Sequence, residues 1–228
     1  MNFDTPIKYM KEYCKKFNIN YSGTKTDVYN KIVEFENSKA ELTPNGVFKN
    51  SLHYLILDLE TTGLYYNKHK IIEIAYIILD ENLNEVYRNS SLIKVEPNLT
   101  DVYDKKLYEQ AVNSNITFND FINNNLQMFE CKIFVAHNVS FDKPFLLHNL
   151  QKLINAENNY IESLKQKLNN MSEYCTMKNF NDIHKRTKWT SLINAYKFYF
   201  NVEFEDAHRA MNDTIACMEV FKKLKTEK

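Results

Sequence analysis

At 228 residues the chain is long enough for one sizeable domain, or for a domain and a small module. Its 29 Lys and Arg balance 29 Asp and Glu, which argues against a protein that coats nucleic acid by bulk charge, though not against local basic patches. Apolar residues make up 44% of the chain, enough for a packed core, but no apolar run reaches the length of about 18 residues that a transmembrane helix needs.

The start, MNFDTPIKYMKEYCKKF, lacks the apolar core of a signal peptide. Cys14, Cys131, Cys175 and Cys217 are scattered, with no C-x-x-C pair, and read as reduced thiols, not as a disulfide framework or a zinc site. The expected location is intracellular, cytoplasmic or nuclear, and not secreted.

Residues 1–39 read as two short helices. Ile7, Met10, Tyr13, Cys14 and Phe17 recur at helical spacing, with lysines mostly off that stripe. A loop with Gly23 follows. Thr26 is the expected cap of a second helix, in which Val28, Tyr29, Ile32, Val33 and Phe35 face inward. The string YMKEYCKKFNINYSGTKTDVYNKIVEFE resembles the SAP module, a small helical nucleic-acid-binding unit. The resemblance implies that the loop and the second-helix start approach a phosphate backbone, with Lys25 at the contact. The plainer alternative is a helical hairpin that packs on the main domain or on a protein partner, such as a polymerase.

Residues 40–51, with Pro44, Asn45 and Gly46, read as a linker to a main domain over 52–228. That domain opens with LHYLILDLETTG, an apolar strand ending in Asp58 and Glu60. Lys70–Leu79 is a second strong strand, and Glu85–Val95 a more polar third; the short connections predict an antiparallel meander. Helices are expected over 104–113 and 117–129, then a buried strand over Cys131–Ala136. Ser140 is the expected cap of a helix reaching Leu153. A polar, helical stretch runs to about Met171, and a short fifth strand is expected at Tyr174–Met177. Helices over Ser191–Phe200 and Ala207–Leu224 close the chain. Strands first, then alternating helix and strand, predict a mixed α/β sheet with helices on its faces.

Three strings carry chemistry. Asp58 and Glu60 are two apart in a strand and share a face; adjacent carboxylates both stay ionised most easily around a cation, and hard oxygen ligands suit Mg²⁺ or Mn²⁺. Thr61-Thr62-Gly63 then supplies a turn whose N–H groups and hydroxyls could meet a phosphate or sugar, with Gly63 allowing positive φ or a close ligand approach. The second string is His137-Asn138-Val139-Ser140-Phe141-Asp142, which puts Asp142 in the first turn of a helix. There the macrodipole favours any carboxylate, and His137 and Asn138 either position substrate or close a loop. The third is His208-Arg209-Ala210-Met211-Asn212-Asp213. It puts a histidine, whose kind titrates near neutral pH, close to a helix start, and Asp213 off the apolar stripe. Taken singly, each string also fits an ordinary solvated element end.

In this order, Asp-x-Glu-Thr-Thr-Gly, His-Asn-x-x-Phe-Asp and His-x-Ala-x-x-Asp resemble the DEDD exonuclease superfamily, in its histidine-containing branch. That branch includes the proofreading subunit of bacterial replicative DNA polymerase. The resemblance covers roughly Leu52–Leu224, with FDKPFLLHNL and CTMKNF as further matching strings. It implies a ribonuclease-H-like fold and a 3′–5′ exonuclease acting on single-stranded RNA or DNA. Asp58, Glu60, Asp142 and Asp213 would hold two divalent cations, Mg²⁺ or Mn²⁺, and His208 would serve as general base. Thr61, Thr62, Gly63, Leu64 and Asn138 would contact substrate, Leu64 as a wedge against the last base. The product would be nucleoside 5′-monophosphates. The basic string His184–Lys188 is a candidate backbone contact or a solvated loop, and Trp189 could stack on a base, although its place beside Leu192 favours the core. The alternative function is a non-catalytic nucleic-acid-binding or polymerase-associated protein that keeps the fold.

Overall fold

The structure, a computed structural model, describes residues 7–16, 20–40, 52–154, 159–202, 204 and 208–227. It divides into two compact units, Met1–Asn50 and Ser51–Lys228. Among the described residues no helix is long and apolar enough to cross a membrane, and the four cysteines are free thiols.

The first unit pairs α1 (Ile7–Lys16) with α2 (Lys25–Ala40). Met10 and Cys14 bury against Val28 and Ile32, with Tyr29 packed alongside, while Ile7 of the expected stripe is 36% exposed and the side chains of Tyr13, Val33 and Phe35 lie outside the described residues. The cap of α2 is Thr24 and not the expected Thr26. The Thr24 hydroxyl accepts from the Asp27 N–H at 3.3 Å while the Asp27 carboxylate accepts from the Thr24 N–H at 2.7 Å, a reciprocal box that satisfies two free donors. Gly23 before it has φ +110°, and a Cβ there would stand 2.7 Å from an Asp27 carboxylate oxygen, so the turn needs glycine. Helix α2 continues through Ala40; residues 41–51 of the expected linker, and Phe17 of the expected stripe, lie outside the described residues.

The second unit is built on a five-stranded sheet of order β3-β2-β1-β4-β5: β1 Tyr54–Thr61, β2 Ile71–Leu79, β3 Glu85–Leu92, β4 Ile133–Ala136 and β5 Ser172–Cys175. The three leading strands form the antiparallel meander, while β4 pairs parallel to β1 and β5 parallel to β4. This is the mixed, helix-flanked sheet that the element order predicts, in the ribonuclease-H-like form that the resemblance implies. Every residue of β2 is buried, because a strand inside the sheet and covered on both faces cannot alternate with polar residues. Tyr54, Ile56, Ile77, Leu79 and Val135 share a cluster with Cys217, Met218 and Phe221 of the last helix, α9 (Ala210–Thr226). Alternation then dictates that Asp58 and Glu60, two and four residues beyond Ile56, project to the α9 side.

The remaining helices are α3 (Lys105–Val112), α4 (Phe118–Asn124), α5 (Val139–Leu153), α6 (Asn159–Asn170), α7 (Thr176–Ile183) and α8 (Leu192–Phe200). Several boundaries differ from the sequence reading for identifiable reasons. The helix expected over 117–129 breaks into α4 and a 3-10 turn, Leu126–Glu130. Asn125 lies between them, with its amide oxygen taking the Tyr76 hydroxyl at 2.7 Å and the Asn89 amide at 2.8 Å. Helix α5 starts at Val139, so Ser140 lies inside it, and Asn138 holds the cap position without a side-chain bond. Strand β5 sits two residues earlier than expected, and Thr176, Met177 and Phe180 bury at helical spacing in α7, which the sequence reading missed. Helix α9 begins three residues late because His208 takes φ +74°, outside helical space.

Candidate active site

The C-terminal end of β1 gathers side chains from three elements. Asp58 and Glu60 come from the strand, Asp142 from the first turn of α5, and Asp213 from the first turn of α9. Both helices direct their N-termini, where carboxylates are favoured, toward the strand end. A register shift between Glu60 and Thr61 marks a bulge where β1 leaves its ladder with β2, a common device for re-aiming side chains beside a site.

The arrangement concentrates negative charge. Burial first, and then the carboxylates of Asp142, Asp213, Glu60 and Glu73, push the Asp58 carboxyl well above its ordinary range. Burial also pushes Glu60 up to about 7, with Asp213 and Glu73 adding to it and Arg209 opposing. Asp142, 3% exposed, is pushed up to about 8 by burial, against backbone N–H groups of Leu59 and of Asp142 itself that favour the anion. Burial raises Asp213 as well, with His208 acting in the other direction. Such a group of acids is costly without positive charge between them.

Glu60, His208 and Asp213 each offer a ligand atom, and these atoms lie within 4.8 Å of one another. One Asp213 oxygen, Oδ1, is buried without a hydrogen-bond partner, while Oδ2 accepts from the His208 N–H at 3.4 Å. An unpartnered anionic oxygen facing other carboxylates is what a hard divalent cation would satisfy, so the residues fit Mg²⁺ or Mn²⁺.

Glu73 was not singled out in the sequence, where it sits inside an apolar strand. It is directly opposite Glu60 in the β1–β2 ladder and only 3% exposed. It receives Arg209 through two bonds, 2.9 and 3.2 Å, and the Ala210 N–H at 3.1 Å. The pair fixes the start of α9, and with it His208 and Asp213. A glutamate interrupting a fully apolar strand was the signal available.

The proposed substrate contacts divide. Leu64 is 58% exposed, beyond the end of β1 at Thr61, with Thr62 and Gly63 between. Thr61 is half-buried and its hydroxyl donates to the Gly63 carbonyl at 2.7 Å. Thr62 turns inward, 2% exposed, where its hydroxyl accepts from the Lys70 N–H at 3.0 Å. Gly63 is needed for another reason than the one expected: it does not adopt positive φ, and a Cβ there would stand 2.4 Å from the His69 ring. The close approach in this structure is by the His69 imidazole. Asn138 is half-buried beside Asp142, and its carbonyl, not its amide, anchors the α5 start by accepting from Phe141 at 2.8 Å. His137 closes the loop. Its Nε2–H donates to the Thr190 carbonyl at 2.9 Å, which leaves Nδ1 to accept from the Thr176 hydroxyl at 2.9 Å. Burial pushes this imidazole down to about 4. Trp189, expected in the core, is 77% exposed.

The chain belongs to the exonuclease family: the family model described as RNase_T, exonuclease, matches residues 55–221. The DNA polymerase III PolC-type of Ureaplasma parvum serovar 3 is similar, 28% identical over 177 residues, which is 75% of this chain and 11% of that protein. This chain therefore spans about a tenth of that relative's length. Escherichia coli exonuclease I, solved in complex with a dA16 oligonucleotide, superposes with a TM-score of 0.59 at 14% identity, covering 77% of this chain and 41% of that one. A 3′-exonuclease solved in a study of 3′-end-specific recognition of the histone mRNA stem-loop gives 0.53 at 13% identity, covering 98% and 82%. At these identities the structural likeness is one of fold.

Proposed function

We propose that the chain is a metal-dependent 3′–5′ exonuclease of the histidine-containing branch, hydrolysing single-stranded RNA or DNA to nucleoside 5′-monophosphates. The observation that carries this reading is the meeting of Asp58, Glu60, Asp142 and Asp213 with His208 at one strand end, in an exonuclease-family chain. In this reading the four carboxylates hold two divalent cations, which when bound would neutralise charge developing on the attacked phosphoryl group and on the departing 3′ oxygen. His208, exposed at the site's edge, accepts the proton of the attacking water at its ring nitrogen. Its backbone N–H to Asp213 and the Arg209–Glu73 pair position it. Leu64 meets the terminal base, and Thr61 and Asn138 orient the last nucleotide. Thr62 and Gly63 shape that subsite from beneath.

The domain boundaries we adopt are 1–39 for an SAP-like module, 40–51 for a linker and 52–228 for the exonuclease. The module binds nucleic acid through the Lys25 end of α2, a reading supported by its capped helix-loop-helix and by a 3′-exonuclease whose likeness extends over 98% of this chain. The PolC-type relative supports a second reading, a polymerase contact through the same residues. An intracellular site, cytoplasmic or nuclear, follows from either role.

The deciding experiment digests 5′-labelled single-stranded RNA and DNA of one sequence with Mg²⁺, Mn²⁺ or EDTA, beside Asp58→Ala and His208→Ala. The expected result is a metal-dependent ladder shortening from the 3′ end, absent in Asp58→Ala. Intact substrate that is still bound would refute turnover.

A further inference from the structure

The loop joining α7 to α8 carries a surface that the proposed chemistry does not use. Trp189 is 77% exposed, and it borders a cleft of about 360 Å³ lined also by Phe180, Arg186, Lys188, Asn194 and Phe198. A large aromatic ring held out in water has lost the burial that ordinarily retains it. Here its backbone is tied down on both sides. The Thr190 hydroxyl donates to the Asn181 side chain at 2.7 Å, the Thr190 carbonyl accepts from His137 at 2.9 Å, and the Arg186 N–H returns to the Asn181 carbonyl at 2.9 Å. One residue of α7 thus clamps the loop at both ends. The indole stands on a fixed support, and Phe198, half-exposed, presents a second ring at the cleft wall.

The charged side chains of the loop from 185 to 191 have one sign. Lys185, Arg186 and Lys188 lie within four residues of loop, and the Arg186 guanidinium lies 5.7 Å from the Phe198 ring centroid. Among the described residues none of the three is in an ion pair. Of the acids on the flanking elements, Glu227 is engaged by His184 at 3.3 Å and by the Tyr199 hydroxyl at 2.7 Å, leaving Asp182 alone in α7. The loop is also tied, through His137, to the end of β4 from which α5 and Asp142 follow. His137, bonded to Thr190, directly follows β4 and lies five residues before Asp142.

We infer that this cleft is a second binding site, for an unpaired nucleotide of a single strand whose 3′ end lies at the carboxylates. One base stacks on Trp189, and Lys188 and Arg186 take the adjoining phosphates. The ligand class follows from what the cleft offers: a π-face that any base accepts, cations that track phosphates, and a side-chain amide from Asn194 at the base edge. The inference rests on the exonuclease reading for the strand's direction, and on the cleft itself for binding.

Trp189 is the chain's single tryptophan, so its emission reports this site without further labelling. The full chain, in EDTA, would be titrated with oligothymidylate of 2 and of about 12 nucleotides, a length within known single-strand site sizes. Quenching by the longer strand and none by the dinucleotide is expected. Read by the anisotropy of a 5′-fluorescein-labelled strand, because these variants carry no tryptophan, Trp189→Ala should weaken the longer strand roughly tenfold, and Trp189→Phe, which keeps a ring, should hold within about threefold. Lys188→Gln should lower the salt dependence, log affinity against log salt, by about 0.7. Hydrolysis of the p-nitrophenyl ester of thymidine 5′-monophosphate, too short to reach the loop, should be unchanged in all three variants. Unquenched emission at saturating strand, or wild-type affinity in Trp189→Ala, would overturn the inference and leave the cleft to a protein partner. A wild-type chain inert toward the ester but quenched by the strand would instead refute the exonuclease reading alone.

Discussion

Glu73 organises the site without touching the proposed chemistry. Its carboxylate is buried, bonded twice to Arg209 and once to the Ala210 N–H, and stands opposite Glu60. Glu73→Gln keeps the volume and one acceptor but removes the charge. The expected outcome is a loss of about 1–3 kcal/mol in denaturant unfolding, the range for a hydrogen bond to a charged group. A fall in kcat larger than any rise in KM should accompany it, because His208 and Asp213 lose their fixed start of helix while the rim is untouched.

The carboxylates also predict a pH dependence with a definite sign. Glu60 at about 7 and Asp142 at about 8 are raised above their unfolded values, so the folded, metal-free chain holds protons that the unfolded chain has lost. Their contribution is complete below about pH 4 and disappears as pH rises through 7 to 8. His137, pushed down to about 4, acts in the opposite sense: it contributes above about pH 6.5 and loses that contribution as pH falls toward 4. Asp58 and Asp213, also raised, join the larger group, so the carboxylates outweigh the histidine. Thermal unfolding in EDTA should show a lower Tm at pH 8.5 than at pH 5.5. Millimolar Mg²⁺ or Mn²⁺ should recover most of the difference at pH 8.5 and little at pH 5.5. A Tm in EDTA that rises between these pH values would contradict the charge cluster.

At the scale of elements, the site depends on how strand ends are turned. The segment after β1 folds back on itself by seating the His69 imidazole against Gly63, with Nδ1 at 3.0 Å from the Tyr65 nitrogen and Nε2 at 3.3 Å from Asp101. Gly63→Ala drives a methyl into that ring, and overpacking of this kind costs about 1–3 kcal/mol. The displaced turn carries Leu64, so KM for single strands should rise more than kcat falls; equal KM values would detach the turn from substrate binding. The second turn, after β4, is closed by His137 between Thr176 of α7 and Thr190 of the loop before α8. Thr176→Val removes the hydroxyl that serves Nδ1 and leaves a buried ring nitrogen unpaired. Amide exchange should then quicken across residues 184–190 ahead of the rest of the sheet.

At the scale of the molecule, each unit has its own apolar cluster. Among the described residues, that of the first gathers Met10, Cys14, Val28 and Ile32. The second unit is far larger and is tied together by the sheet, with α9 packed on β1 and β2. Removing residues 1–40 should leave the cooperative unfolding of the remainder and its cleavage of short strands unchanged. Affinity for structured RNA should fall and its salt dependence should weaken. Loss of a co-purifying polymerase, with nucleic-acid affinity intact, would assign the module to the protein contact instead.

What the sequence by itself determined is what a short window can encode. The parity that puts Asp58 and Glu60 on one face, the buried run of β2 and the helix stripe of α9 are all local regularities of period 2 or 3.6. So was the sheet class, because short connections between leading strands permit only antiparallel pairing. Tertiary structure alone decided the rest. Arg209 meets Glu73 from 136 positions away, Thr190 meets His137 from 53, and no window holds both partners. Asn125 ends a helix because two side chains from the sheet reach its amide. Gly63 is fixed by a ring six residues on that folds back upon it, and Trp189 faces solvent because a clamp at Asn181 holds its loop outward. Periodicity states which side chains want burial; only the packed chain determines which neighbours complete them, and which of them are left in water.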